Sequence, residues 1–352
     1  NISIDTTLNF SPPVEANETF FYIEDNIKFT NRLKANIGIH FGIYNSLNLR
    51  SAINQFSDTD ISLEPRLSFR YLLSDTWSAK VSYAKMRQNI HLLSNSSVGF
   101  PSDLWLPAVD AAPSQNSQQI AASINTEILN GEIEVSLEGY YKKMNNLITY
   151  KAGYSNLEST ESWENSIETG GEGESYGLEL FIQKQKGKTT GWIGYTLSWS
   201  NRKFDNLNNG NWYPYKYDRR NDLSIVLNHK FSDKWDCGLT WVFGTGNAIT
   251  FPRSTYFSTL QDGRYDNFYV WNIESYGDRN SVRLPSYHRL DFGINRHSQK
   301  KNYKGTWSFG AYNLYNRKNP FFAYLAYQNT RRVAKQVSLF PIIPSVSYRI
   351  QF

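Results

Sequence analysis

Apolar and polar residues alternate one for one along most of this chain. Over Asp60 to Leu73, the residues Ile61, Leu63, Leu67, Phe69, Tyr71 and Leu73 fall on one side. Asp60, Ser62, Glu64, Arg66, Ser68 and Arg70 fall on the other. A helical repeat would set Arg66 and Arg70 beside Leu63 and Phe69, so the period is that of a strand. Pro65 lies within it and predicts a bulge or weak pairing. Leu33 to Ile43, Ile133 to Tyr141 and Trp235 to Phe243 alternate in the same way. So does the final segment, with Val346, Tyr348, Ile350 and Phe352 against Ser345, Ser347, Arg349 and Gln351. The pattern predicts about fourteen strands, near 2–10, 18–30, 33–45, 60–74, 77–94, 118–129, 132–151, 174–186, 189–204, 219–231, 235–251, 284–298, 305–323 and 336–352.

Alternation alone does not separate a soluble sandwich from a membrane wall. The spacing of the connections does. Short turns at Asn31-Arg32, Asp75-Thr76, Asn130-Gly131, Gly187-Lys188, Ser232 to Lys234 and Lys300 to Lys304 alternate with long loops, roughly 46–59, 95–117, 152–173, 205–218, 252–283 and 324–335. Short turns at one end and long loops at the other belong to an all-β, antiparallel, up-and-down transmembrane barrel. Ser74-Asp-Thr-Trp77 and Ser232-Asp-Lys-Trp235 each follow a tight turn with a Trp, where an interfacial aromatic belongs. The alternation then turns Phe69, Tyr83, Leu137, Leu239 and Phe292 toward lipid. It turns Arg66, Arg70, Glu138, Glu179, Asp291 and Arg349 toward the lumen, where charges need water or a polar filling.

Composition agrees. Aromatic residues make up 16% of the 352 positions, enough for girdles at both membrane interfaces. No apolar run approaches the roughly 18 residues that a spanning helix needs. The net charge of +5 is spread along the chain, without the basic block that nucleic acid would need. Cys237 is the single cysteine, so no intrachain disulfide and no multi-cysteine metal site can form. The five histidines, His40, His91, His229, His288 and His297, share no metal-ligand spacing. Gly170-Gly-Glu-Gly173 lies in an acidic loop whose carboxylates would repel phosphate. No catalytic constellation, metal site or cofactor motif is present, so the expectation is a protein that is not an enzyme.

The loops carry the candidate chemistry. Residues 158–174 are rich in Glu, which reads as a cation trap or as a solvated surface facing lipopolysaccharide. Trp212, Tyr213, Tyr215 and Tyr217 crowd one loop; Tyr256, Tyr265, Tyr269 and Trp271 crowd the next. Aromatics at a barrel mouth stack on sugar rings or aromatic ligands, or they pack the loops together. Trp212, Tyr213, Tyr215, Tyr256, Tyr265, Tyr269 and Trp271 are the candidate ligand-binding residues.

Three C-terminal segments carry a family resemblance: Leu284-Pro-Ser-Tyr-His-Arg-Leu-Asp-Phe-Gly-Ile-Asn295, Trp307-Ser-Phe-Gly-Ala-Tyr-Asn-Leu-Tyr-Asn-Arg-Lys-Asn-Pro-Phe321, and Ser338 through Phe352. Ser175-Tyr-Gly-Leu-Glu-Leu180 and Tyr217-Asp-Arg-Arg-Asn-Asp-Leu223 add to it. The chain resembles the TonB-dependent receptors of the Bacteroidota outer membrane. That resemblance implies a barrel of 22 strands around an N-terminal plug with a TonB box. Neither a plug nor a TonB box is found, so the expectation is a single domain over 1–352, the C-terminal part of a longer barrel. Tyr348, Ile350 and Phe352 resemble the terminal signal read by outer-membrane assembly. Short turns would be periplasmic and long loops extracellular. The implied function is import of a bulky nutrient such as a glycan, siderophore, cobalamin or peptide. The implied partners are outer-membrane lipid and lipopolysaccharide, TonB–ExbB–ExbD through the plug, and a surface lipoprotein or other outer-membrane subunit. A scaffold subunit without transport and a small passive porin stay open. The truncated-receptor reading predicts no ladder between Ile4 to Leu8 and Val346 to Ile350.

Overall fold

The computed structural model describes residues 15–48, 55–56, 59–94, 103–152, 163–261, 268–329 and 331–352. Thirteen strands form one antiparallel sheet in chain order: β1 (Glu15–Lys28), β2 (Leu33–Asn48), β3 (Asp60–Leu72), β4 (Trp77–Gln88), β5 (Gln115–Ile128), β6 (Ile133–Tyr150), β7 (Ile167–Lys184), β8 (Thr189–Lys203), β9 (Asn221–Lys230), β10 (Trp235–Gly244), β11 (Tyr287–Gln299), β12 (Lys304–Tyr312) and β13 (Ile343–Gln351). Each pairs with its sequence neighbour, the up-and-down plan expected from the turns. Among the described residues β1 pairs in this sheet with β2 alone and β13 with β12 alone. The strand expected at 2–10 lies outside the described residues, and with it the expectation that Ile4 to Leu8 makes no ladder with Val346 to Ile350. No described helix is long and apolar enough to cross a membrane.

The register sorts the side chains. Directly paired residues of antiparallel strands share a face. Leu33, Tyr71, Ala79, Ile124, Leu137, Leu180, Tyr195, Leu223 and Phe243 form one transverse row across β2 to β10. The row one residue further along is Lys34, Arg70, Lys80, Ser123, Glu138, Glu179, Thr196 and Asp222, and Lys28 of β1 extends it. One row is wholly apolar or aromatic and the next is polar or charged. Phe69 and Leu137 are exposed on the apolar face, where a soluble sheet would hide them.

Aromatics gather toward both ends of the apolar face. Tyr141, Tyr176 and Trp199 stack in sequence near the long loops, with ring centroids 6.4 and 5.3 Å apart. Trp307, Tyr348 and Trp235 share a row near the short turns. Pro65 stays in register opposite Ile39, yet the β3–β4 ladder begins only at Arg66. The missing N–H coincides with the end of pairing on that side. At the β5–β6 turn, Asn130 and Gly131 both take the positive φ that such a hairpin requires.

The long loops are structured beyond what alternation predicts. The strand expected over 77–94 breaks at Asn89, and Ile90–Ser94 pairs instead with Asp103–Pro107. The segment expected as loop 252–283 holds a ribbon of Pro252–Gln261 with Phe268–Tyr276. The strand expected over 305–323 stops at Tyr312, because Asn313 and Asn316 turn left-handed. Pro320–Gln328 then pairs with Arg331–Ser338 across a turn at Asn329, so the loop expected at 324–335 is a hairpin.

Candidate functional site

Buried apolar clusters lie at the long-loop end and not within the wall. Leu93, Leu106, Ala112, Ile148, Tyr150 and Ile167 form one. Leu147, Phe204, Leu207 and Tyr213 form the other. Both join the ends of β6 or β7 to residues of the connecting loops. The wall has lipid-type and polar faces with no core between them. The loop end packs like the interior of a soluble protein and makes a crown.

Ionic groups fasten this crown. Asp218 is buried, and its carboxylate accepts from the Ser200 backbone N–H at 2.7 Å and from the Arg283 guanidinium. Arg220 stands 3.6 Å away on the same carboxylate oxygen. Arg283 also donates to the carbonyls of Asp218 and Gly246, at 2.7 and 3.3 Å. One carboxylate therefore ties the 205–220 loop to the segment that enters β11. Gly246 is required there, because a Cβ would collide with the Leu284 carbonyl.

A second joint lies at Asp103 on the ribbon after β4. Lys216 donates to it at 3.2 Å and the Tyr217 hydroxyl donates to its other oxygen. Burial pushes the Lys216 ammonium down, and Asp103 opposes that shift. Burial and the Asp103 carboxylate push the Tyr217 phenol up, so it stays a donor. Arg279 makes the third joint, donating to the Thr149 hydroxyl at 3.0 Å and the Tyr150 carbonyl at 3.3 Å. Its neighbour Asn280 donates to the Pro214 carbonyl and accepts from Thr250.

The candidate aromatics divide between joints and surface. Tyr213 is 3% exposed and lies in the second cluster, with Arg279 5.5 Å from its ring. Tyr215 lies under the Arg202 guanidinium, 3.5 Å from the ring centroid. Trp212 is 42% exposed, Tyr217 38% and Tyr256 53%. Tyr269 and Trp271 lie in the Phe268–Tyr276 strand, with side chains outside the described set. Tyr265 lies outside the described residues, as do Glu158 and Glu161 of the acidic loop.

Sequence reasoning missed Trp105 and Tyr327, which are exposed on the ribbons of two other loops. Their segments carry the hydropathy of a loop or of a continuing strand, so nothing in alternation sets these two rings apart. Asp103, Asp218, Arg279 and Arg283 were also missed. Only Asp218 falls in a quoted motif, and nothing in spacing links it to Arg283.

The lumen candidates all fall on the polar face. Arg70, Glu138 and Glu179 share the charged row. Arg66 lies four residues before Arg70 on the same face. Arg349 stands opposite Thr306. Asp291 holds Arg289 at 2.9 Å and accepts from the Asn313 backbone N–H, pinning the start of the last loop. Lys28, Arg32, Lys34 and Arg70 line a shallow cavity of about 200 Å³ at the short-turn end. His297 holds Asp236, whose other oxygen accepts from Asn295 at 2.7 Å. Of the C-terminal candidates, Tyr348 stacks on Trp307 at 4.6 Å, Ile350 pairs Gly305, and Phe352 is fully exposed. Among the described residues no group of His, Cys, Asp and Glu could hold a metal ion.

Solved structures share this architecture. The ferric yersiniabactin uptake receptor FyuA from Yersinia pestis superposes with a TM-score of 0.60 at 15% identity, over 96% of this chain and 46% of that one. The ferric-catecholate import receptor Fiu from E. coli K12 gives 0.59 at 12%, over 95% and 44%. The ferripyoverdine receptor of the Pseudomonas aeruginosa outer membrane gives 0.56 at 15%, over 95% and 38%. This chain thus spans less than half the length of these proteins. No curated protein matches it in sequence. The family model described as TonB dependent receptor-like, beta-barrel matches residues 1–314. The alternating wall, the sorted connections and this match place the chain in the TonB-dependent receptor β-barrel family.

Proposed function

We propose that the chain is the C-terminal part of the wall and crown of an outer-membrane receptor that imports a bulky, ring-bearing ligand under TonB drive. Residues 1–352 act in it as one barrel domain. The long loops face outward and the short turns face the periplasm. The observation that carries this reading is the division of labour in the crown. Tyr213, Tyr215 and the Tyr217 hydroxyl are spent on internal contacts, whereas Trp212 and Tyr256 present rings to solvent from loops that half-buried ion pairs fasten. Rings on a rigid base stack on a ligand without an ordering cost at binding.

The solved relatives carry ferric complexes by their names, and a siderophore is one member of the class proposed here. Glycans, cobalamin and peptides are the others. Trp212 and Tyr256 are the exposed members of the candidate set, Tyr213 and Tyr215 serve in the packing of the crown, and Tyr265, Tyr269 and Trp271 are the remaining candidates for ligand contact. Arg66, Arg70, Glu138, Glu179, Asp291 and Arg349 face the interior, where a polar plug or water neutralises them.

The test is uptake in cells carrying the full-length receptor, with ferric siderophores, cobalamin, oligosaccharides and peptides offered in turn. One class enters, entry stops when TonB is deleted, and Trp212→Ala with Tyr256→Ala weakens binding about tenfold or more. Entry that survives loss of TonB and of the proton gradient contradicts the proposal and marks a passive channel.

A further inference from the structure

Two basic residues lie on the apolar face near the short turns, and the wall treats them differently. Lys184, paired in register with Ile133, holds Glu132 at 3.0 Å. Arg296 shares its transverse row with Trp235, Trp307 and Tyr348. Its exposed guanidinium stands 5.8 Å from the Trp235 ring, and no carboxylate among the described residues pairs with it. On the other side Trp307 and Tyr348 lie 4.6 Å apart. Nearer the turn on the same face, Gly305 is buried because the Tyr348 hydroxyl lies over it, 2.5 Å from where a Cβ would be, so the glycine lets the Tyr348 ring lie along the wall. The patch is an unneutralised cation, two indoles and a phenol side by side in one row.

The turns beside it add Lys234, Lys300 and Lys301. Asp233 is already engaged by Lys230 at 2.7 Å, and Asp236 is engaged by His297 on the polar face. A guanidinium without a counter-ion on a lipid-facing wall is tolerable only at headgroup depth. Trp and Tyr favour that depth. There the planar fork can donate two parallel hydrogen bonds to one phosphate. A zwitterionic headgroup would bring its own cation into a patch that is already basic. An anionic one does not.

We propose that Arg296, Trp235, Trp307 and Tyr348 form a binding site for an anionic phospholipid, in the leaflet reached by the short turns. The inference rests on the membrane placement given under Proposed function, and on nothing about the transported ligand.

Native mass spectrometry of the full-length receptor in detergent tests it, with phosphatidylglycerol and phosphatidylcholine added separately. Wild type should retain phosphatidylglycerol about tenfold more strongly, the scale of one charge-assisted bidentate contact. Inorganic phosphate at millimolar concentration should not displace it. Arg296→Gln should abolish the preference, Arg296→Lys should keep part of it, and Lys184→Gln should leave it intact. Equal retention of the two lipids by wild type overturns the proposal without recourse to any variant. So does an Arg296→Gln protein that runs as a folded, heat-modifiable barrel and still prefers phosphatidylglycerol. Displacement by free phosphate overturns it in favour of a simple anion site. Uptake of the transported ligand should be unchanged by Arg296→Gln, so failure here is distinct from failure of the import reading.

Discussion

The wall and the crown of this chain solve the burial of charge in opposite ways. In the wall, Lys28, Lys34, Arg70 and Lys80 stand directly opposite one another on four successive strands, and Glu138 faces Glu179. Like charges so placed repel, and a sheet tolerates them only where water or a polar surface lies against them. In the crown, the buried Asp218 carboxylate meets two guanidiniums and a backbone N–H. This row of the wall is left for something else to meet, and the Asp218 joint of the crown is met from within. Charges of the crown are therefore structural, and the like-charged row of the wall is interfacial, although Asp291 with Arg289 and Asp236 with His297 pair within the later wall strands.

The sharpest way to break that distinction is to remove Asp218. Asp218→Ala leaves the half-buried Arg283 and Arg220 without their carboxylate and the Ser200 backbone N–H without its acceptor, at a cost of about 3 kcal/mol. Hydrogen exchange should rise sharply at Ser200, Gly246 and Arg283, while the wall keeps its protection. Uniform deprotection would show that wall and crown are one cooperative unit. Next in size, Leu137→Arg places a charge on the apolar face, at roughly 2–4 kcal/mol in urea unfolding from lipid vesicles if Leu137 lies near the bilayer midplane. Glu138→Gln, one residue along on the polar face, should change stability by about 0.5 kcal/mol or less. Equal effects at the two positions would erase the difference between the faces.

Smaller effects refine the crown. Arg202→Gln removes the cation stacked on Tyr215 and should cost about 0.5–2 kcal/mol. Loosening at Tyr215 would also show in the exchange of the 205–218 loop. Tyr150 is smaller still. Its buried hydroxyl has no hydrogen-bond partner among the described residues, and burial pushes its phenol up to about 12 from 10.0. The folded crown holds that proton more tightly than the unfolded chain does. Its contribution is thus intact below about pH 10 and is lost as pH rises through about 12. Tyr150→Phe should be nearly neutral at pH 7 and should flatten this alkaline loss, measured as crown exchange against pH.

The same contrast explains what the sequence discloses. Strand period and turn spacing are local, so β1 to β13 and the face of Arg70, Glu138 or Asp291 can be read from alternation. The crown is written in contacts between distant positions. Lys216 meets Asp103 across 113 residues, and Arg279 meets Thr149 across 130. No local pattern announces either pair. The aromatic run Trp212 to Tyr217 is visible, but which rings are buried depends on Arg202 and Arg279 arriving from other segments. The loop ribbons escaped for a related reason. Asn89 and Asn313 end strands where hydropathy continues, and a polar residue of that size is no clear breaker in sequence.

The central claim is that successive residues of each wall strand face lipid and interior in turn. Spin labels placed singly at Phe69, Tyr83, Leu137, Leu239 and Phe292, and at Arg70, Glu138 and Asp291, test it in reconstituted full-length receptor. The first set should be more accessible to oxygen, and the second to a water-soluble nickel chelate. Labels at Leu137 and Glu138 that report the same environment would contradict the account.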